Sequence, residues 1–330
     1  VIIGLRNNSN KPKYLINSGI KTVAKNINGY LIDYGNIYIN KSREPISNFP
    51  EICFGSMPND NGNLILNKQE VDKLKIMYPK YSCLIKKLLG SQEFIRGQER
   101  YCLWITENDY EQLENCPKII ERINNVAIYR KGSKRGATNK LANVPYRFGE
   151  VRYKATNSII IPSVSSERRE YIPIGYLDEN TVISNAAFAI YNAKPWLFGV
   201  VTSRMHMVWV RAVAGRLKTD YRYSAELCYN TFPFPDISDK QKKIIEMHVD
   251  NILAEREKHS DKTMAELYDP DKMPESLRQA HHNLDIAIEL CYKKRPFDND
   301  EQRLEYLFKM YEIMTDPTKQ NNAEEQLSLL

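Results

Sequence analysis

The sequence lacks the marks of a membrane or secreted protein. No apolar run approaches the roughly 20 residues that a helix needs to span a bilayer. The opening stretch from Val1 to Arg6 is too short, and its flanks are wrong, for a signal peptide. We therefore expect a cytoplasmic chain that has no membrane partner.

The sequence also has few cysteines, and they are scattered. None of the six stands in a Cys-x-x-Cys pair or in the Cys/His spacing of a zinc site; they are Cys53, Cys83, Cys102, Cys116, Cys228 and Cys291. The five histidines show no ligand spacing either, and the adjacent His281 and His282 would point in different directions on a helix. We expect reduced, mostly buried thiols, histidines at the surface or in core packing, and no metal.

Positive charge is modest in total but concentrated along the chain. The 330 residues hold 47 Lys and Arg against 41 Asp and Glu, a net charge of +6. Within residues 130–169, however, ten basic residues face two acidic ones, and within residues 194–222 six basic residues face Asp220 alone. Residues 225–330 hold 14 basic and 22 acidic residues. This distribution suits a polyanion lying against the middle of the chain, because phosphate neutralisation releases counterions. The alternative is chance clustering on a solvated surface.

Motifs for chemistry on nucleic acids are missing. A methyltransferase that acts on an exocyclic amine needs an Asn/Asp-Pro-Pro-aromatic loop to hold the flipped base, and the sequence has none. Residues 255–258 bring carboxylates and a lysine together as nucleases do, but they end an ordinary charged helix. Residues 131–136 lack the Gly-Lys-Ser/Thr ending of a phosphate-binding loop, so we expect a flexible basic loop there. We predict no catalytic residue in this chain.

The first two thirds of the sequence predict a mixed α/β fold. Residues 1–50 and 148–195 carry β-branched runs divided by turn residues, which is typical of strands and loops. Apolar residues follow helical spacing over residues 67–89, with a break at Pro79, and over residues 106–124, where Thr106 or Asn108 would cap the helix.

The last third predicts a small all-α bundle. Two helices are expected before it, one starting at Pro195 and one capped by Ser203 and ending near Gly215. Alternating prolines within residues 229–235 exclude a helix interior and indicate a domain boundary. Three helices with recognisable starts follow: Ser238–Glu257, Pro274–Tyr292 and Asp298–Met314.

Eight strings of residues occur in an order that is typical of one family. They are CFGSMPND (53–60), GSQEFI (90–95), RYCLW (100–104), PSVSSERR (162–169), SRMHM (203–207), RLKTDYRYS (216–224), YNTFPFP (229–235) and RPF (295–297). Together they resemble the C-terminal part of the MmeI-like single-chain restriction-modification enzymes. In that family one polypeptide joins a nuclease, an N6-adenine methyltransferase and a target recognition domain.

The resemblance implies three parts in this chain. Residues 1–25 would be the end of a methyltransferase domain, with its last strand at residues 1–5 and a linker. Residues 26–235 would be a DNA target recognition domain of the α/β (α+β) class with a mixed sheet, and residues 236–330 a C-terminal all-α helical domain. The partners implied are double-stranded DNA and the methyltransferase domain of the same polypeptide, which would grip the DNA together.

The chain begins without Met, inside an apolar, strand-like run. We therefore expect a fragment of a longer protein, and the resemblance places the cofactor loop and the Asn-Pro-Pro motif upstream. S-adenosylmethionine is expected in that methyltransferase domain, and no cofactor is expected in this fragment.

The resemblance also implies six residues that read DNA bases: Lys218, Asp220, Arg222, Ser163, Asn185 and Ala186. Independently, if the chain leaves the preceding helix in extended form, alternation places Lys218, Asp220 and Arg222 on one face. Residues 219, 221 and 223 would then lie on the other face. Lysine can donate to guanine O6 and N7 and aspartate can accept from cytosine N4, so Lys218 and Asp220 suit a G·C pair in the major groove. The alternative is a surface Lys/Asp ion pair that is indifferent to DNA.

The remaining candidates divide into one base contact and several backbone contacts. Asn185 suits adenine, because its amide can pair with N6 and N7, and Ala186 would leave room or contact a thymine methyl. Backbone contacts, which position the protein without specifying sequence, are expected from Lys131, Lys134, Arg135, Arg168, Arg169 and Arg216. For Arg169, a structural ion pair with Glu170 or Glu167 is the alternative.

Two functions follow from these observations. The leading one is sequence-specific recognition of double-stranded DNA by a non-catalytic module of an adenine-specific DNA methyltransferase or restriction-modification enzyme. In the alternative, the Phe-Pro-Phe-Pro segment (residues 232–235) and the helical bundle dock a catalytic domain, and contact with DNA is incidental.

Overall fold

The strands fall into four sheets within the part of the chain that the computed structural model describes, which is residues 11–17, 19–113, 116–316 and 318. The strand predicted at residues 1–5 lies outside these residues. The strands are β1 (Lys13–Asn17), β2 (Ile20–Ala24), β3 (Cys53–Phe54), β4 (Ile65–Leu66), β5 (Ile85–Leu89), β6 (Tyr101–Leu103), β7 (Ser158–Pro162), β8 (Val164–Ser165), β9 (Gly175–Leu177), β10 (Thr181–Ile183), β11 (Ala187–Tyr191), β12 (Gly215–Leu217) and β13 (Asp220–Arg222).

One of these sheets is mixed, as predicted. Its order is β10-β5-β6-β4, and β10 runs parallel to β5 while the other neighbours are antiparallel. The sheets β3-β11-β7-β9 and β12-β13-β8 are antiparallel throughout, and β1 pairs with β2 as a hairpin. The second and third sheets meet where β7 continues into β8 with only Ser163 between them.

The helices carry most of the remaining structure. They are α1 (Lys68–Met77), α2 (Ser91–Arg96), α3 (Glu107–Glu111), α4 (Pro117–Lys131), α5 (Gly136–Lys140), α6 (Pro195–Thr202), α7 (Arg204–Val213), α8 (Asp239–Glu257), α9 (Met264–Leu267), α10 (Glu275–Tyr292) and α11 (Asp300–Thr315). None of the helices in the described ranges is long and apolar enough to cross a membrane.

Most helix starts lie where capping chemistry predicts them. The hydroxyls of Thr106, Ser203 and Ser238 each accept the amide N–H three residues on, at the starts of α3, α7 and α8. The start of α11 differs from the prediction, because the cap is Asn299, whose side chain accepts the N–H of Gln302 at 2.9 Å. An Asp298/Glu301 start is therefore wrong by one residue.

Two long helical predictions are each interrupted at a proline. Beyond α1, Pro79 starts a short 3-10 helix, and residues 85–89 form β5 instead of continuing a helix. The prediction over residues 106–124 splits into α3 and α4, since Pro117 begins a new helix that runs to Lys131. Pro79 follows the end of α1, where its missing amide donor stops the helical ladder. Pro117 instead occupies the first turn of α4, where the amide donor is not needed, and α3 already ends at Glu111.

The helices after residue 236 share one hydrophobic core with the sheets. Helix α8 packs against α6 and α10, α10 also packs against α6 and α7, and α11 packs against α7. Trp209 of α7 is fully buried, with ring centroids 5.7 Å from Phe308 and 5.9 Å from Tyr311 of α11. The predicted fold class is confirmed, but the C-terminal helices pack onto the preceding domain and do not enclose a core of their own. A second, smaller core lies between α1, α4 and strands β4–β6.

An irregular segment, residues 25–50, contacts both the last helix, α11, and the Phe-Pro-Phe-Pro segment (residues 232–235). We call it the strap. The hydroxyl of Tyr34 donates to the Glu312 carboxylate of α11 at 2.9 Å. Further along, the ring of Phe49 stacks on Phe234 with centroids 4.0 Å apart. The strap therefore runs from the last helix to the Phe-Pro-Phe-Pro segment.

Arg130 is a buried structural residue and not part of a cationic surface. It has no exposed area at the end of α4, although it is the first of the ten basic residues within residues 130–169, which we call the basic window. Its guanidinium donates five hydrogen bonds of 2.7–3.1 Å to backbone carbonyls, those of Pro58, Asn59, Leu141, Val144 and Arg147. The basic window thus has one fewer cation for a ligand than the sequence indicates.

A buried carboxyl lies where the last helices meet the preceding domain. Asp285 of α10 accepts hydrogen bonds from the Tyr171 hydroxyl at 2.6 Å and from the backbone N–H of Arg204 at 2.7 Å. Burial, with a smaller contribution from the nearby Glu289 carboxyl, raises the pKa of Asp285 to about 7. The two hydrogen bonds and the Arg204 guanidinium act in the opposite direction.

This carboxyl makes the stability of the protein depend on pH. A raised folded-state pKa contributes stability that is complete below the unfolded pKa of about 4 and is lost as the pH rises through about 7. We expect the free energy of unfolding of Asp285→Asn, relative to the native chain, to increase between pH 5 and pH 8. Urea unfolding of both proteins at the two pH values measures this difference, and a difference that does not change with pH would contradict the prediction.

Candidate nucleic-acid interface

The segment predicted to read bases is a β-hairpin. Strand β12 pairs with β13 in the register Gly215↔Arg222 and Leu217↔Asp220, so Lys218 and Thr219 form a two-residue turn. The expectation of one continuous extended strand from Gly215 is therefore wrong. Lys218 adopts a left-handed φ of 57°, which two-residue hairpin turns require and which the sequence does not mark with Asn or Gly.

Alternation holds only within β13. Asp220 and Arg222 lie on its outer face, Asp220 half-buried and Arg222 exposed, while Tyr221 between them is buried. Lys218 is exposed in the turn next to Asp220. Thr219 is exposed there as well, so, contrary to the predicted alternation, it does not share a face with the buried Tyr221 and Tyr223. The turn brings Lys218 and Asp220 to the tip of the hairpin.

The base of the hairpin is firmly held. Strand β13 pairs with β8, and the N–H of Tyr223 donates to the carbonyl of Ser163 at 3.0 Å. The buried Tyr223 hydroxyl lies 2.9 Å from Nε2 of His206, which is itself buried in α7. On the other strand, the Arg216 guanidinium stacks 4.0 Å from the Tyr221 ring and donates to the Thr219 carbonyl. The hairpin is a rigid support for its outward side chains.

The other three predicted base-reading residues come together at a second turn. Residues 184–186 connect β10 to β11, and Asn185 and Ala186 are exposed there. The Ser163 hydroxyl donates to the Ala186 carbonyl at 3.3 Å. Because the Ser163 carbonyl also accepts the N–H of Tyr223 from the hairpin, Ser163 links both groups of candidates. We call the two groups together the reading surface: Ser163, Asn185, Ala186, Lys218, Asp220 and Arg222.

The alternative for the hairpin, an ion pair between Lys218 and Asp220, is not found in the described part of the chain. No ion pair between described residues joins Lys218 to Asp220. The Lys218 ammonium and the Asp220 carboxylate are therefore not neutralised by each other, and the donor and the acceptor remain available to a ligand.

The predicted backbone contacts occupy two places. Lys131, Lys134 and Arg135 are exposed around the connection from α4 to α5, and α4 packs into the smaller core. Arg216 lies in the hairpin itself. The prediction that these cations contact phosphate stays a prediction.

The two arginines that follow β8 differ in their partners. Arg168 is exposed and forms a 2.5 Å ion pair with Asp271, near the start of α10. Arg169 is half-buried, and its Nη1 donates to the Ser165 hydroxyl at 3.4 Å, while Glu170 pairs with Arg278 instead. Among the described residues Arg169 thus forms no ion pair with Glu170 or Glu167. Burial lowers the pKa of Arg169, and the nearby Asp220 carboxylate acts against this lowering.

Apart from the exposed Cys83 and His282, the thiols and histidines are buried or half-buried. Three cysteines are buried, two are half-buried and Cys83 is exposed, and all are free thiols. The buried His206 and His281 each bond a tyrosine hydroxyl. The described residues contain no cluster of three or more His, Cys, Asp and Glu side chains that could hold a metal ion.

The mixed α/β domain with its exposed hairpin and the helices that follow it correspond to a target recognition domain followed by a helical C-terminal domain. The chain belongs to the MmeI family, because the model of the MmeI target recognition domain matches residues 33–236. The model of the MmeI C-terminal domain matches residues 237–318.

Two similar proteins extend this result. The type IIL restriction-modification enzyme MmeI, solved in complex with DNA, has a TM-score of 0.81 and 36% sequence identity over 94% of this chain and 42% of that chain. DNA methyltransferase A of Bacillus subtilis (strain 168) is 46% identical over 304 residues, which are 92% of this chain and 34% of that protein. The chain thus spans less than half the length of either relative.

Proposed function

We propose that this chain is the sequence-reading module of an adenine-specific DNA methyltransferase or restriction-modification enzyme and is not itself catalytic. One observation carries the proposal: a rigidly held hairpin presents Lys218 and Asp220 at its tip, unpaired with each other. The similarity to an enzyme solved in complex with DNA supports double-stranded DNA as the ligand.

Base recognition at the hairpin rests on adjacent groups of opposite polarity. Lys218 donates to guanine O6 and N7, and Asp220 accepts from cytosine N4, so the two together read one G·C pair in the major groove. A two-stranded ribbon is narrow enough to enter that groove. Arg222, on the same face of β13 as Asp220, supplies a further donor beside them.

The second turn reads a neighbouring part of the site. Asn185 is exposed and carries both an amide donor and an acceptor, the pair that matches adenine N6 and N7. Ala186 presents only a methyl group, which leaves room for a base or contacts a thymine methyl. Ser163 adds one hydroxyl between this turn and the hairpin.

The cations outside the reading surface hold the DNA backbone. Exposed Lys131, Lys134 and Arg135 supply charge on the smaller core, and Arg216 supplies it beside the hairpin. Arg169 has donors to spare beyond its bond to Ser165, whereas Arg168 must exchange Asp271 for a phosphate. Such contacts set affinity and salt dependence but carry no sequence information.

The chemistry belongs to a methyltransferase domain elsewhere in the longer polypeptide, and S-adenosylmethionine is expected there. This chain then presents the target adenine by fixing the register of the DNA. A pure docking role through the Phe-Pro-Phe-Pro segment has little support, because Phe232 and Phe234 are buried in the core of this chain. They leave no aromatic surface at that segment for a partner.

The test is substitution at the hairpin tip in the full-length protein. Methylated sites are then mapped in a host that expresses the full-length variant and no unsubstituted copy. We expect Lys218→Asn with Asp220→Asn to lower discrimination at one G·C position about 5- to 150-fold, which corresponds to ~1 to 3 kcal/mol. Asparagine tolerates the left-handed backbone at residue 218. The other positions of the site should be read as before.

The matched control is the exposed pair Lys68 and Asp72 on α1, both changed to Asn. This control should leave the methylated sequence unaltered. Lower activity with unchanged specificity in the hairpin variant would show that the tip does not read bases.

A further inference from the structure

Ser91, at the first position of α2, joins the two segments that carry the second group of base-reading residues. Its hydroxyl donates to the carbonyl of Ala186 at 2.6 Å. The same oxygen accepts the backbone N–H of Ser163 at 3.1 Å and lies 3.4 Å from the Ser163 hydroxyl. One side chain from a helix outside both segments thus connects the end of β7 to the turn between β10 and β11.

The position of Ser91 is itself fixed by close packing. The preceding Gly90 lies so near the turn that a Cβ there would come within 2.7 Å of the Ser184 hydroxyl and 3.0 Å of the Ala186 methyl. The Glu93 carboxylate accepts the Gly90 N–H at 2.9 Å and pairs with Arg100 at 2.8 Å. The start of α2 therefore has little freedom to move relative to the turn.

We propose that Ser91 is a positioning residue for sequence recognition: it sets the spacing between Ser163 and the Asn185–Ala186 turn, and hence the accuracy with which that group reads its base pair. This inference rests on the proposed function. Ser91 itself need not touch DNA, because its hydroxyl already has partners within the protein. It donates to the Ala186 carbonyl and accepts the Ser163 N–H.

The hairpin has anchors of its own and should depend little on Ser91. Strand β13 is held by pairing with β8, and Tyr223 is held by the buried His206. Loss of the Ser91 hydroxyl frees the Ala186 carbonyl from its shortest bond and leaves only the longer contact from Ser163. The turn can then shift relative to the hairpin, so errors should arise at the position read by the turn and not at the G·C position.

The experiment maps methylated sites for the full-length protein carrying Ser91→Ala. We expect discrimination to fall about tenfold at one position of the site, different from the position affected by Lys218→Asn and Asp220→Asn. Ser91→Thr, which keeps the hydroxyl, should restore discrimination. The matched control is Ser82→Ala in the 3-10 helix before β5, which should leave every position unchanged.

Three results would overturn the proposal. They are unchanged specificity in Ser91→Ala, equal relaxation at all positions, and a Ser91→Thr variant as relaxed as Ser91→Ala. Equal relaxation would indicate general loosening of the fold, and the melting temperature of each variant would show it.

If the hairpin variant changes the sequence read while Ser91→Ala does not, only the role of Ser91 fails. If the hairpin variant changes nothing, the proposed function itself fails.

Discussion

A chain that ends at Asp236 is expected to lose cooperative folding altogether. The cut falls at the boundary between the two matched domains, yet the main core continues across it. Removing the later helices would expose Trp209, which Phe308 and Tyr311 cover, and would free the strap from its contact with α11. Burial of each large apolar side chain contributes about 1.5–3 kcal/mol. Exposing several of them therefore removes as much free energy as the net stability of a folded domain, which is typically about 5–15 kcal/mol.

Circular dichroism and urea unfolding of the shortened chain test this expectation. We expect a broad transition or aggregation where the longer chain gives one sharp transition. A soluble fragment of residues 1–236 that unfolds cooperatively would show that the target recognition domain folds independently.

Neighbouring isoleucines of α8 provide a matched pair of point variants for the same interface. Ile245 is fully buried against Gly199 of α6, whereas Ile244 is 41% exposed. We expect Ile245→Ala to cost about 2–5 kcal/mol of unfolding free energy, by loss of burial and formation of a cavity, and Ile244→Ala to cost less than about 1 kcal/mol. Equal costs would contradict the shared core.

Arg130→Met is expected to destabilise the protein by about 3–5 kcal/mol. The substitution keeps a long apolar stem but removes the Arg130 donor from all five backbone carbonyls. The carbonyls of Pro58, Leu141 and Val144 each keep a backbone N–H partner. Among the described residues, the carbonyls of Asn59 and Arg147 are left with no backbone donor, and each unpaired buried carbonyl costs about 1–3 kcal/mol. The urea midpoint measures the loss. Arg130→Lys should lose nearly as much, because an ammonium has three donors and not the planar set that the site requires.

Arg135→Ala is the matched control, since Arg135 is a basic residue of the same window but is exposed. Its stability should stay within about 0.5 kcal/mol of the native chain. In the full-length protein, the slope of log affinity for DNA against log salt concentration should fall by about 1, as expected for one lost phosphate contact. A stable Arg130→Met protein, or an unstable Arg135→Ala protein, would contradict this division of the basic residues.

Local chemistry made much of the fold predictable. Helix starts at Thr106, Ser203 and Ser238 follow from hydroxyl caps, and the prolines in the Phe-Pro-Phe-Pro segment correctly exclude a helix there. Residues 85–89 were not predictable in the same way. Their apolar pattern fits a buried helix or a buried strand, and only pairing with distant β6 and β10 decides between the two.

The site was predictable in composition but not in geometry. The sequence marks the hairpin residues as charged and exposed, but the turn at Lys218 has no Asn or Gly, so the chain reversal leaves no local signal. Arg130 looks like its basic neighbours until the five carbonyls around it are known. Ser91 carries no charge, and its partners lie 72 and 95 residues away in the chain. Hydrogen bonds of that separation leave no trace in residue spacing.

The hairpin is supported independently of the side chains that it presents. Its support comes from backbone pairing with β8 and from the buried Tyr221 and Tyr223, none of which depends on the side chains at residues 218, 220 and 222. Replacements at residues 220 and 222 therefore meet little selection from folding itself, whereas residue 218 must also tolerate a left-handed φ. If these residues read DNA as proposed, a lineage can change its target sequence in a few steps without unfolded intermediates, provided that the tyrosines and the strand register are kept.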